Sequence, residues 1–151
     1  MRYAALIQQL THDKTFGAAM VIAPILLWGL IYFIPEARSS AISWPMPAVM
    51  LILIAPVIEE LAFRGWLQGL LTGTRLGKIM HAGVSGQNMV TSLCFAAFHL
   101  VSHTWLWSLA VVAPSLIFGF FRDRYQSVIP AILLHAYFNG LYFIVFTQPA
   151  Q

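Results

Sequence analysis

Cysteine occurs once, at position 94, so no internal disulfide can form. Cys94 sits in an apolar run, where a small core-filling residue is expected rather than a nucleophile. Charge is scarce: Asp, Glu, Lys and Arg make up 9% of the chain, against about 25% in a soluble domain. No basic patch appears, which excludes the electrostatic footprint of nucleic-acid binding. The H-E-x-x-H spacing of helical zinc hydrolases does not occur. The first apolar run is followed by no small-residue cleavage pattern, so no signal peptide is expected. No internal repeat is visible, which disfavours a carrier or channel built from two related halves.

What remains is apolar. Of the 151 residues, 60% are hydrophobic, which places a single domain, 1–151, in lipid. The expected fold is all-α, a polytopic membrane helical bundle of about five transmembrane helices. The spans read as Phe16–Ile34, Ala48–Leu71, Asn88–Val101, Trp105–Phe121 and Ser127–Phe146, since about 20 apolar residues cross a bilayer. Residues 1–15 suit a short amphipathic helix at the interface. Pro35–Pro47 reads as a loop with Trp44 as an interfacial anchor, and Gly73–Gln87 as a glycine-rich link in which His81 is solvated. Arg122–Tyr125 reads as a charged turn. If every span crosses, Arg2, Lys14, Arg75, Lys78, Arg122 and Arg124 fall on one side and Arg38 on the other. The positive-inside rule then puts the amino terminus in the cytoplasm and the carboxyl terminus outside.

The second span contradicts its own solvent. Leu51–Leu71 carries Glu59, Glu60 and Arg64 in its middle. An ionisable group at bilayer depth costs roughly 2.5–3.5 kcal/mol on insertion scales. Three within six residues are tolerable only if they face one another or a wet cavity. Glu60 and Arg64 are four apart on one helix face and are expected to pair, with the acid on the N-terminal side. Glu59 lies about a quarter-turn away and stays free for chemistry. Pro56, just before the glutamates, frees a backbone carbonyl and bends the helix. Gly65 and Gly69 give a small face for close helix approach.

Two further polar groups lie in apolar helices. Phe95 and His99 share one face, and His135 and Asn139 share another. Glu59, His99, His135 and Asn139 are expected to surround one cavity, because separate burial would carry a desolvation cost at each site. A glutamate and a histidine can hold a water, and the glutamate can take its proton. A second histidine and an asparagine can present N–H donors to an oxyanion. No serine or cysteine accompanies the set, which points away from an acyl-enzyme. The same Glu, His and His could instead hold zinc, although no three ligands lie close in sequence.

The three patterns resemble the CAAX-protease and bacteriocin-processing (Abi) family of glutamic intramembrane proteases. Its E-E-x-x-x-R, F-x-x-x-H and H-x-x-x-N stand here as Glu59-Glu60-Leu-Ala-Phe-Arg64, Phe95–His99 and His135–Asn139, in order, on apolar helices. The resemblance covers about 48–146, the expected catalytic core. It implies an intramembrane endopeptidase with Glu59 as base, His99 positioning water, His135 and Asn139 at the oxyanion, and Glu60 and Arg64 bracing the cavity, without cofactor or metal. Family members often have six to eight spans, and this chain has about five. The shorter form, with HDK near the start, SLCFAAFHL and VVAPSLIFGFFRDRY, is similar to the small bacterial subgroup that accompanies JDVT-type carboxy-terminal sorting signals. That implies a bacterial cytoplasmic (inner) membrane location. The implied partner is a membrane-anchored protein whose C-terminal transmembrane sorting tail is cut nearby. The alternatives are a zinc-dependent intramembrane metalloprotease and a non-catalytic membrane immunity or scaffold protein.

Overall fold

Almost every apolar stretch of the chain is helical in the computed structural model, which describes residues 2–33 and 46–146. Helix α1 (Arg2–His12) turns at Asp13 into α2 (Lys14–Phe33), which runs on through an outward-facing Pro24. Asp13 makes that corner: its Oδ1 accepts the Thr15 N–H at 2.8 Å, capping the next helix. The Trp44 anchor and Arg38 lie outside the described residues. Helix α3 spans 46–72 without interruption, but its register changes. Met50–Ile54 and Leu61–Leu67 are π-helical, and Ala55–Glu60 between them is α-helical.

The link after α3 holds a 3₁₀ turn at Arg75–Lys78 and a two-stranded antiparallel hairpin, β1 (Met80–His81) with β2 (Val84–Ser85). Its turn, Ala82-Gly83, has positive φ at both positions, 50° and 82°, as a two-residue hairpin turn requires. The all-α expectation is thus modified by four strand residues. His81 is exposed, as a solvated residue should be.

Helix α4 (Gly86–His99) starts where the Ser85 hydroxyl accepts the Asn88 N–H at 3.1 Å. The expected fourth span is two helices, α5 (Trp105–Ala110) and α6 (Val112–Tyr125), joined at Val111. Pro114 explains the break, because its ring and missing N–H disrupt the bond to the carbonyl four residues back. The expected charged turn at Arg122–Tyr125 is instead the last turn of α6. It ends at Gln126, a residue in the left-handed region with φ 49°. Helix α7 (Ile129–Phe146) is the last described element, with Pro130 in its first turn, where no N–H is needed.

The packing buries polar groups beside the apolar core and leaves many large apolar groups outside. Arg64 heads the largest fully buried side chains, and Glu60, Gln68, Asn88, Thr91, Ser92 and Ser115 are also buried. Ile25, Ile58, Trp66, Leu93 and Ile144 are each more than 60% exposed. This inversion suits a lipid surround, where helices associate through close packing and interhelical hydrogen bonds. Among the described residues, Trp105–Tyr125 is long and apolar enough to cross a membrane. Cys94 is exposed on this outer surface, so the core-filler expectation is wrong. The apolar run around it encodes lipid contact as readily as core.

Helices α2, α6 and α7 share a core of Ala19, Phe118, Phe121, Ala131 and Leu134. Helices α4 and α6 pack tightly at Gly119, where a Cβ would collide with the Asn88 side chain. Asn88 bridges α4 to α6 by donating to the Leu116 carbonyl at 2.9 Å. The expected glycine face of α3 is only half realised. Gly69 meets Arg122, while a Cβ on Gly65 would meet only its own helix.

Candidate active site

Glu59 and Glu60 close the short α-helical segment between the two π stretches of α3. Glu60 points inward and is fully buried, whereas the Glu59 side chain remains 24% exposed. The expected ion pair forms, with Arg64 Nη1 3.0 Å from Glu60 Oε1. Arg64 also donates through Nη2 to the Ser115 carbonyl at 3.0 Å and to its hydroxyl at 2.5 Å. Its guanidinium lies over the Phe95 ring, 4.6 Å from the centroid. Arg64 therefore ties α3 to α4 and α6. A buried ion pair needs such further bonds to offset desolvation.

Glu60 does more than brace. Its Oε1 also accepts from His135 Nδ1 at 2.8 Å. His135 stacks on Phe118 at 5.0 Å, and its Nε2 lies 3.8 Å from Glu59 Oε2. With Nδ1–H given to Glu60, Nε2 is the atom that His135 presents to Glu59. The two adjacent glutamates thus address the two nitrogens of one ring. This link between the first and third sequence patterns was not visible in spacing.

His99 is held differently. Its Nδ1 is 2.9 Å from the Phe95 carbonyl, an i, i−4 acceptor on its own helix, so Nδ1 carries the proton and Nε2 is left as an acceptor in the neutral ring. The Phe95 ring contacts both histidines, at 4.5 Å from His99 and 5.8 Å from His135. Phe95 is therefore the packing piece shared by Arg64, His99 and His135. Asn139 donates through Nδ2 to the Leu51 carbonyl at 2.9 Å, which leaves its second N–H.

Glu59, His99, His135 and Asn139 line one cavity of about 280 Å³. Its remaining wall is largely apolar and aromatic, including Leu51, Trp107, Pro114, Phe118 and Tyr142. His103 continues the histidine row at the rim, 5.6 Å from His99 and stacked on Trp107 at 5.4 Å. Spacing did not single out His103, Trp107 or Ser115. His103 lies four residues beyond His99, and that i, i+4 step was the available signal. Ser115, one serine in an apolar helix, carried none. Among the described residues, no three His, Cys, Asp or Glu side chains stand close enough to share a metal ion.

A second polar knot closes the other end of α6. Asp123 accepts from Gln68 Nε2 at 2.8 Å, Gln87 Nε2 at 2.7 Å, Ser85 Oγ at 2.5 Å and Arg122 Nη1 at 3.1 Å. Arg124 Nε and the Tyr125 hydroxyl reach Asp13 Oδ2 at 3.0 and 2.6 Å. The Tyr125 hydroxyl, more than any other group, holds the Asp13 carboxyl down at about 2, from an ordinary value of 3.8.

The family model described as type II CAAX prenyl endopeptidase Rce1-like matches residues 41–141, about two thirds of the chain. The match contains all three sequence patterns and every residue named above as lining the cavity except Tyr142. No curated protein and no solved structure matches the chain.

Proposed function

The chain belongs to the type II CAAX prenyl endopeptidase Rce1-like family, and from that premise we propose that it is a glutamic intramembrane endopeptidase with Glu59 as general base. The observation that carries this reading is the convergence of Glu59, His99, His135 and Asn139 from three helices on one cavity. A water between Glu59 and His99 gives one O–H to His99 Nε2 and loses its other proton to Glu59. Its oxygen attacks the scissile carbonyl carbon. The oxyanion is met by Asn139's second N–H and by His135 Nε2–H when the ring is an imidazolium. In that form Glu59, Glu60, Arg64 and His135 together carry no net charge, which suits a dry site. Collapse of the tetrahedral intermediate breaks the C–N bond, and Glu59 returns its proton to the leaving amine.

The substrate we propose is a membrane-anchored protein cut beside its C-terminal transmembrane tail, in the manner of sorting-signal processing. Five spans with the amino terminus in the cytoplasm of a bacterial inner membrane fit this role. Arg122 bonds Thr72 and Arg124 bonds Asp13, which supports gathering the basic loops on one side. His103 stands at the opposite end of α4 from Ser85, which holds Asp123, and this supports a rim on the extracytoplasmic side.

The test is incubation of the purified protein with a tail-bearing substrate and, separately, a prenylated CAAX peptide, each with and without a chelator. Chelator-resistant cleavage of the tail-bearing substrate is expected. Cleavage of the prenylated peptide alone would move the substrate to the one in the family's description. Loss on chelation with recovery in zinc would make it a metalloprotease. Absence of any cleavage by folded protein would favour a scaffold.

A further inference from the structure

The corner between α1 and α2 distributes its charges unevenly. Asp13 is turned inward, with 7% of its side chain exposed, and its two oxygens take the Thr15 N–H, Arg124 Nε and the Tyr125 hydroxyl. Arg124 is turned outward, with 48% of its side chain exposed. It gives Asp13 only its Nε, which leaves its two Nη groups for a further acceptor. Lys14 is exposed and makes no hydrogen bond or ion pair among the described residues. Lys14 and Arg124 line one open hollow of about 690 Å³, with His12, Asp13 and Tyr125. The acid is thus engaged by the protein, while two cations face the hollow. The complementary ligand is an oxyanion, and a planar guanidinium suits phosphate in particular.

What lies along α2 from the hollow narrows the ligand further. Lys14 is the first residue of α2, and positions 18, 21 and 25 follow it on the same helix face. Ala18, Val21 and Ile25 are all exposed. Eleven residues separate Lys14 from Ile25, which is about 16 Å of helix. Half of a hydrocarbon core about 30 Å thick is about the same depth. A cationic hollow above an apolar stripe one leaflet deep has the outline of a lipid. A soluble anion would use the hollow and leave the stripe bare. In the proposed orientation this end faces the cytoplasmic leaflet, whose anionic lipids attract basic groups.

We propose that the Asp13 corner binds the phosphate headgroup of an anionic phospholipid, with Lys14 and Arg124 as its cationic contacts and Ala18, Val21 and Ile25 along an acyl chain. The bound headgroup joins the start of α2 to the end of α6. This site shares no residue with the Glu59 cavity and does not rest on the peptidase reading.

The test is native mass spectrometry of the purified full chain, stripped of lipid in detergent and titrated with palmitoyl-oleoyl phosphatidylglycerol or with phosphatidylcholine of the same chains. Phosphatidylglycerol should bind at least about fivefold more tightly. Lys14→Gln should weaken its binding about fivefold, while Lys78→Gln, the same charge change at an exposed lysine outside the hollow, should alter it by less than about twofold. Arg124→Gln should weaken binding at least as much as Lys14→Gln, but it also frees Asp13. Lys14→Gln breaks no such bond and is therefore the deciding variant. Equal affinity for the two lipids would overturn the proposal. So would equal losses in Lys14→Gln and Lys78→Gln, which would mean general attraction to a basic protein. Displacement of phosphatidylglycerol by an equal concentration of inorganic phosphate would make the hollow a soluble-anion site and would also overturn it.

Discussion

At the residue scale, the ionisable groups were legible because a membrane makes them conspicuous. Glu59, Glu60, Arg64, His99 and His135 stood out in apolar helices, and the Glu60–Arg64 pair followed from spacing alone. Their partners on other helices were not legible. Ser115, which takes two bonds from Arg64, and Phe118, which stacks on His135, look like ordinary helix residues in sequence. Cys94 was misread because an apolar neighbourhood does not tell lipid from core. The account makes a sharp demand on Arg64. Replacing it by alanine strands the buried Glu60 carboxyl and empties the space between α3, α4 and α6. Loss of one partner of such a pair costs about 3–5 kcal/mol. Arg64→Ala should therefore melt well below the wild type in the same detergent and show no turnover. A wild-type melting temperature would contradict the bracing role.

At the element scale, helix existence was readable from long apolar stretches, while boundaries and register were not. Hydropathy could not reveal the π stretches that flank Glu59 and Glu60, since backbone register leaves no mark on composition. Nor could it show that Arg122–Tyr125 stays helical, because the bonds holding those charges come from α3, α4 and the Asp13 corner. Two outcomes belong here. Gly119→Ala must displace Asn88, and overpacking of this kind costs about 1–3 kcal/mol; a thermal melt should show the loss, and Asn88→Ala in the same chain should recover part of it. The Asp13 corner should respond to acid in a defined direction. Its carboxyl lies at about 2 in the folded chain against 3.8 ordinarily. Its contribution is therefore fully present above 3.8 and is lost as pH falls towards 2. The melting difference between wild type and Asp13→Asn should be constant from about pH 8 to pH 5. It should shrink only below the ordinary carboxylate value. A difference that titrates near neutrality would contradict this assignment.

At the scale of the whole molecule, the lipid environment was readable from composition, and the convergence of three helices on one cavity was inferred from desolvation cost. The family match extends over that same core. The proposed orientation rests on the alternation of basic loops, and Arg124 meets Asp13 at one end of the bundle. A reporter fused at Gln151 should accordingly read extracytoplasmic in a bacterial host, and a cytoplasmic reading would reverse the side on which the cavity opens.

The central claim is that Glu59 takes the proton from the attacking water. Glu59→Gln keeps the size and one acceptor oxygen of the side chain and removes the base. Turnover of a tail-bearing substrate by this variant, measured beside wild type at matched folding and substrate binding, tests the claim most directly. A general base contributes typically 10²–10⁴-fold, so the variant should bind the substrate and cleave it slower by at least about 10²-fold. Cleavage at the wild-type rate would contradict the glutamate mechanism.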